Sequence, residues 1–107
     1  MAILSVNEEV LLITILSMKE EAYGWTILKE VMEMTGKKIV YGTLYNSLDN
    51  LVKKGYITVH KGETTSKRGG KRKVYYKVTP FGKQTMFETK KFHELLLDKV
   101  SHLILEK

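Results

Sequence analysis

The stretch that most constrains this chain is Tyr41 to Gly55, YGTLYNSLDNLVKKG. Leu44, Leu48 and Leu51 fall at i, i+4 and i+7, which makes one apolar stripe on a helix. At 100° per residue, Gly42, Thr43, Asn46, Asp49, Asn50 and Lys53 fall on the opposite side. That outer face is small, polar and mostly uncharged, so it can enter a groove and hydrogen-bond what lies there. Lys53 and Lys54 complement the negative end of the helix dipole, and Gly55 supplies a left-handed C′ residue. No Ser, Thr, Asp or Asn stands directly before Tyr41, so the start of this helix has no side-chain cap. Such a helix needs a core behind it and leaves its polar face free.

The segment that follows holds the charge. Residues 61–77 contain seven basic side chains (Lys61, Lys67, Arg68, Lys71, Arg72, Lys73 and Lys77) against Glu63, which accounts for the whole net charge of +6. The other residues carry acidic and basic groups in equal number. A charge run alone is most simply a solvated loop. Beside a polar-faced helix it is the electrostatic footprint of a polyanion binder. Tyr56 to His60 alternates and is β-branched, so it reads as a strand. Gly62 to Lys71, with Gly69-Gly70, reads as the turn of a hairpin, and Lys73 to Val78 as the return strand. A polar-faced helix followed by a basic hairpin is the layout of a winged helix.

The rest of the chain serves that unit. Ser5 and Glu8 match a capping box, so a first helix is expected from about Asn7 to Lys19. Its middle, Val10 to Leu16, is apolar nearly all round and asks for two partners. One is the domain's own core; the other is expected to be a second copy of the chain. A second helix is expected over Trp25 to Met34, ended by Gly36. Trp25, the only tryptophan, reads as a pocket residue with Met18 or, more plainly, as core or edge packing. Thr79-Pro80 is an N-cap followed by proline at N1, and the last helix runs to the C-terminus. Phe92, Leu95, Leu96, Val100, Leu103 and Ile104 form its apolar stripe. Its polar side mixes Glu88, Glu94 and Asp98 with Lys90, Lys91 and Lys99, which does not suit a membrane surface.

The expected fold is therefore mainly α with a small β-hairpin: a winged helix-turn-helix domain over residues 1–79 and a C-terminal dimerisation helix over 80–107, forming one compact unit with the first helix. The dimerisation residues expected are Val10, Leu11, Ile15, Phe92, Leu96, Val100 and Leu103. A cytoplasmic protein is expected, because the N-terminus lacks a basic n-region, Glu8 and Glu9 interrupt the early apolar run and cysteine is absent. An enzyme is not expected. His60, His93 and His102 lack metal-ligand spacing and read as surface residues, and no phosphate-loop or nucleophile-elbow motif occurs.

Three segments resemble the PadR-like family of winged helix-turn-helix transcriptional regulators. Tyr23-Gly24-Trp25-Thr26-Ile27 is similar to the family's YGYxI segment. Gly42-Thr43-Leu44-Tyr45 is similar to its GTLYP motif, with Leu48, Leu51, Gly55 and Ile57 in family spacing. Lys71 to Gly82 (KRKVYYKVTPFG) is similar to its wing exit. Together these span about residues 8 to 104. Asn46 stands where the family usually has proline, and a single helix after the wing matches the short subfamily. The resemblance implies a homodimeric repressor on a double-stranded DNA operator, joined through its first and last helices, with no cofactor. It also implies a flat aromatic or drug-like effector at or near the dimer interface.

On a winged-helix reading, Asn46 and Asn50 suit adenine edges and Thr43 a thymine methyl or a phosphate. Tyr45 either bonds a phosphate or packs. Lys53 suits a backbone contact, and Lys67, Arg68, Lys71, Arg72 and Lys73 on the wing suit phosphates. Two other classes compete: a winged-helix protein-interaction module that binds no nucleic acid, and a structured-RNA binder. The first has no need to concentrate its charge in the wing. The second calls for exposed stacking aromatics, whereas Tyr75 and Tyr76 alternate on a strand.

Overall fold

Leucines 44, 48 and 51 are each at most 2% exposed, and the core is assembled on them. In the computed structural model, which describes residues 2–62 and 73–106, the chain forms α1 (Val6–Met18), α2 (Gly24–Thr35), α3 (Tyr41–Lys53), β1 (Ile57–Lys61), β2 (Val74–Val78) and α4 (Pro80–Leu105). A 3-10 turn, Lys19–Glu21, joins α1 to α2. The expected elements are all present, with ends shifted by a residue or so. The turn expected at Gly62 to Lys71 lies, apart from Gly62, outside the described residues.

The local signals act as their chemistry requires. Ser5 and Glu8 form the capping box at α1. Gly36 closes α2 at φ 69, and Gly55 takes φ 81 just after α3. Val40 is the N-cap of α3 and makes no side-chain cap hydrogen bond. β1 and β2 pair antiparallel with Ile57 opposite Val78 and Lys61 opposite Val74. Ala22 and Tyr23 lie along the other edge of β2: the Tyr76 amide donates to the Ala22 carbonyl at 2.8 Å, and Tyr23 bridges Tyr75.

The start of α4 is clamped to the entry of the hairpin. The Thr79 amide donates to the Tyr56 carbonyl at 2.9 Å. Its hydroxyl donates to the Gly55 carbonyl at 2.7 Å and accepts from the Gly82 amide at 2.9 Å. A Cβ on Gly82 would collide with the Tyr56 carbonyl oxygen, so the glycine, costly inside a helix, is what lets α4 approach so closely.

α1 touches α2, α3, β2 and α4, and one face of it is sealed: Leu11, Leu12, Thr14 and Ile15 are buried. This corrects the expectation for Leu11 and Ile15. Being i and i+4, they share the inward face and belong to the protomer's own core, so they are not open to a second chain. The outward face is Ile13 and Leu16, 47% and 42% exposed, with Val10 half-buried between the two. The buried residues of α4, Gly82, Thr85 and Thr89, all lie in its first half. The Leu4 amide donates to the Thr89 hydroxyl at 3.1 Å, which ties the segment before α1 to α4. From Glu94 onward every described residue of α4 is exposed. At 26 residues the helix is about 39 Å long, which gives the molecule its 67 Å long axis. Among the described residues no helix is long and apolar enough to cross a membrane.

Candidate nucleic-acid interface

α3 turns its stripe inward and its polar side outward. Gly42, Thr43, Asn46, Asp49, Asn50 and Lys53 are all exposed. Among the described residues, no side-chain hydrogen bond engages Thr43, Asn46 or Asn50, so their donors and acceptors face solvent. Tyr45 sits at the flank, 41% exposed. Its ring stacks on Tyr41, and its hydroxyl lies where a Cβ on Gly24 would stand. Packing thus accounts for its position, and Gly24 is the residue that makes room for it.

β2 lies next to this flank. Tyr76 is buried, and burial pushes its phenol above the ordinary tyrosine range, with Tyr45 and Asp49 adding to the effect. Tyr75 meets Tyr23 edge-on, centroids 5.5 Å apart. The Lys73 ammonium lies 4.3 Å from the Tyr23 ring centroid. This cation–π contact anchors the base of the basic hairpin. Lys67, Arg68, Lys71 and Arg72, the other expected wing contacts, fall outside the described residues.

The far end of α3 is held from behind. Lys54 pairs with Glu8 at 2.6 Å. Burial raises the Glu8 carboxyl, but Lys54 and the Ser5 amide and hydroxyl outweigh it and hold the group below the ordinary glutamate range. The adjacent Glu9 meets His93 of α4 at 2.8 Å. The first turn of α1 therefore contacts the end of α3 and the middle of α4 together. His93, expected on the surface, is half-buried in this pair. His60 and His102 are exposed. Residues 46 and 84 apart in sequence make these two contacts, and no local pattern announces them. The Tyr41–Tyr45 stack, at i and i+4, could have been read from spacing.

A second feature lies away from α3. A cleft of about 480 Å³ opens between α1 and α4, lined by Leu4, Ile13, Phe87 and Leu97 with Glu9 and His93 at its polar end. Neither Trp25 nor Met18 lines it. Trp25 is 52% exposed in the first turn of α2, and Met18 packs half-buried against the core. No group of acidic, histidine or cysteine side chains able to hold a metal ion occurs among the described residues.

Comparison with known proteins agrees with this geometry. No curated protein matches the chain. The chain is similar to a solved PadR family transcription regulator from Clostridium difficile R20291, with 31% identity over 92% of this chain and 97% of that one and a TM-score of 0.66. It is also similar to a PadR-like transcription factor from Bacteroides fragilis, with 26% identity, 91% and 88% coverage and a TM-score of 0.75. A PadR-like regulator from Bacillus cereus ATCC 14579 shares the fold at 22% identity, with 95% and 94% coverage and a TM-score of 0.73. The family described as "Transcriptional regulator PadR-like family" matches residues 12–88, a span that runs from the core of α1 through α3 and the hairpin into α4. A free polar helix face beside a basic hairpin, on a chain that matches this family over most of its length, identifies the protein as a member of the PadR-like family of DNA-binding transcriptional regulators.

Proposed function

We propose that the protein acts as a homodimeric repressor that reads an inverted-repeat operator. The observation that carries this is the exposed polar face of α3, where Thr43, Asn46 and Asn50 make no side-chain hydrogen bond among the described residues, on a protomer that also leaves apolar faces of α1 and α4 exposed. In this reading α3 enters the major groove. Asn46 and Asn50 meet adenine edges, and Thr43 meets a thymine methyl or a phosphate. Tyr45 and Lys53 contact the backbone at the flanks. Lys67, Arg68, Lys71, Arg72 and Lys73 neutralise phosphates, which fix position without carrying sequence information. Two protomers joined through Phe92, Leu96, Val100 and Leu103 of α4, with Ile13, Leu16 and Val10 of α1, present paired helices to half-sites about one helical turn apart. The α1–α4 cleft is the site offered to a flat aromatic effector, in place of the surroundings of Trp25 and Met18. The DNA partner implies the cytoplasm as the place of work.

The test is titration into random double-stranded DNA at several salt concentrations, with sequencing of the bound pool. If each protomer neutralises three or four phosphates, the slope of log K against log salt is expected at about −5 to −7, with an inverted repeat enriched. Neutralising Lys67, Arg68, Lys71 and Arg72 together should weaken binding to all sequences and flatten the slope. Asn46→Ala should relax base preference at nearly constant slope. An unchanged slope in the wing variant removes the wing from the mechanism, and absence of any enriched sequence removes α3.

A further inference from the structure

One carboxylate stands on the face of α3 that the proposed function turns to DNA. Asp49 is the only acidic residue between Tyr41 and Gly55, and it is exposed. Gly42, Asn46, Asp49 and Lys53 recur at i, i+4, i+7 and i+11, so they form one line along the helix. Leu44, Leu48 and Leu51 are buried on the other side, so this line runs down the middle of the outer face. Thr43 and Asn50 stand to one side of it, Tyr41 and Tyr45 to the other. Beside Gly42 the surface is open: a Cβ there would meet no atom within 4 Å. A short side chain such as that of Asp49 needs a close approach, and the missing side chain on the same line permits one. Among the described residues no ion pair or side-chain hydrogen bond engages Asp49. Lys53, one turn on, does not make with it the i,i+4 pair that Lys90 and Glu94 make on α4.

A carboxylate in this place has a narrow choice of partner. It carries only acceptors, and phosphates repel it, so it cannot make the backbone contacts open to Thr43, Tyr45 or Lys53. In the major groove the donors are the amines of cytosine and adenine. The adenine amine stands between two acceptors, its own N7 and O4 of the paired thymine. The cytosine amine has an acceptor on one side only, O6 of the paired guanine, and a C–H on the other. Cytosine therefore repels the second carboxylate oxygen less. Over a base pair with no donor in reach, the carboxylate loses water and gains nothing in return. We propose that Asp49 reads a cytosine at one position of each half-site, accepting from its amine and rejecting other bases there. Asp49 is then a specificity-determining residue, separate from Asn46 and Asn50. The inference rests on α3 being the helix that enters the groove.

The test uses the full-length protein and runs the random-duplex selection in parallel on the parent, Asp49→Ala and Asp49→Asn. The parent is expected to enrich cytosine at one position per half-site. Exchanging that cytosine–guanine pair for thymine–adenine in the recovered operator should weaken binding about tenfold per half-site. Asp49→Ala should bind the two operators alike and keep the base preferences that Asn46→Ala relaxes. Asp49→Asn, whose amide both donates and accepts, should move the preference at that position to adenine. Asp49 is exposed, so both variants should keep the helical signal and unfolding midpoint of the parent. The inference is overturned if the parent enriches no such cytosine, or if the preference survives either variant. An equal loss of affinity for all sequences in Asp49→Ala would also overturn it, since Asp49 would then only hold the helix in place. An enriched repeat whose preferences answer to Asn46→Ala but not to Asp49→Ala sinks this inference alone. Preferences untouched by Asn46→Ala, Asn50→Ala and Asp49→Ala sink the reading of α3 and this inference with it.

Discussion

At Lys19 the backbone takes φ 55 and ψ −115, a region that glycine enters freely and a side chain resists. The reason is topological. α1 must end and reverse within the 3-10 turn so that Ala22 and Tyr23 reach the edge of β2. Strain of this kind costs on the order of 1–3 kcal/mol. Lys19→Gly is therefore expected to raise stability by about 1 kcal/mol, after the extra unfolded-state entropy of glycine is set against the relief. A urea unfolding curve measures it, and a lower midpoint in the variant would show that the turn holds no such strain. Nothing in KEEAY announces a left-handed lysine. By contrast, the roles of Gly36, Gly55 and Thr79 are visible in the sequence, because helix ends are governed by chemistry within a few residues.

Among the elements, α1 does more than its sequence suggests. Its inward face closes the core, and its first turn holds α3 through Glu8–Lys54 and α4 through Glu9–His93. Glu8 also caps its own helix by accepting from the Ser5 amide at 2.9 Å. Since the folded state holds the Glu8 carboxyl below its ordinary range, the stability that this group contributes is present above the unfolded glutamate value of about 4.3. It is lost as pH falls through the lowered folded value. Glu8→Gln keeps an oxygen that can accept from the Ser5 amide but loses the charge that faces Lys54, so it should lose at most about 1 kcal/mol at pH 7, the scale of a partly exposed ion pair, and nothing at a pH below both values. Unfolding curves at neutral and acid pH check this; a deficit equal at both would mean that the charge of Glu8 is not what stabilises the joint. The capping half of this arrangement was legible from Ser5 and Glu8. The half that reaches Lys54 was not, because it depends on where α3 comes to rest.

For the whole molecule, the decisive fact is how much apolar surface remains. On α4, Leu96, Val100, Leu103 and Ile104 are 43%, 47%, 67% and 75% exposed, and they form a contiguous stripe on a helix that projects beyond the domain. Burying one such side chain fully is worth about 1.5–3 kcal/mol and association costs about 4–15 kcal/mol, so the dimer of the proposed function needs several of them from each chain. Leu96→Glu with Leu103→Glu is expected to give a folded monomer. Its helical signal should stay near that of the parent, since neither residue touches the core, and its apparent affinity for a two-half-site operator should fall by at least tenfold. Sedimentation equilibrium decides the matter. A parent protein that is itself monomeric at tens of micromolar would remove the dimer from the proposed function.

By itself the sequence determined the order and type of the elements, the inward stripe of α3, its free polar face and the place where positive charge collects. These follow from periodicity, capping and turn chemistry, all of which act within a few residues along the chain. The resemblance to the family was legible for the same reason, since its motifs are short and local. Only the tertiary structure decided which side of α1 faces the core. A helix apolar all round carries no directional signal, and so Leu11 and Ile15 could not be told from Ile13 and Leu16. It also decided that Gly24 makes room for Tyr45, that Gly82 lies against the Tyr56 carbonyl and that Glu8 and Glu9 each find a partner far along the chain. Each of these depends on two segments meeting in space, and distance along the sequence does not encode that.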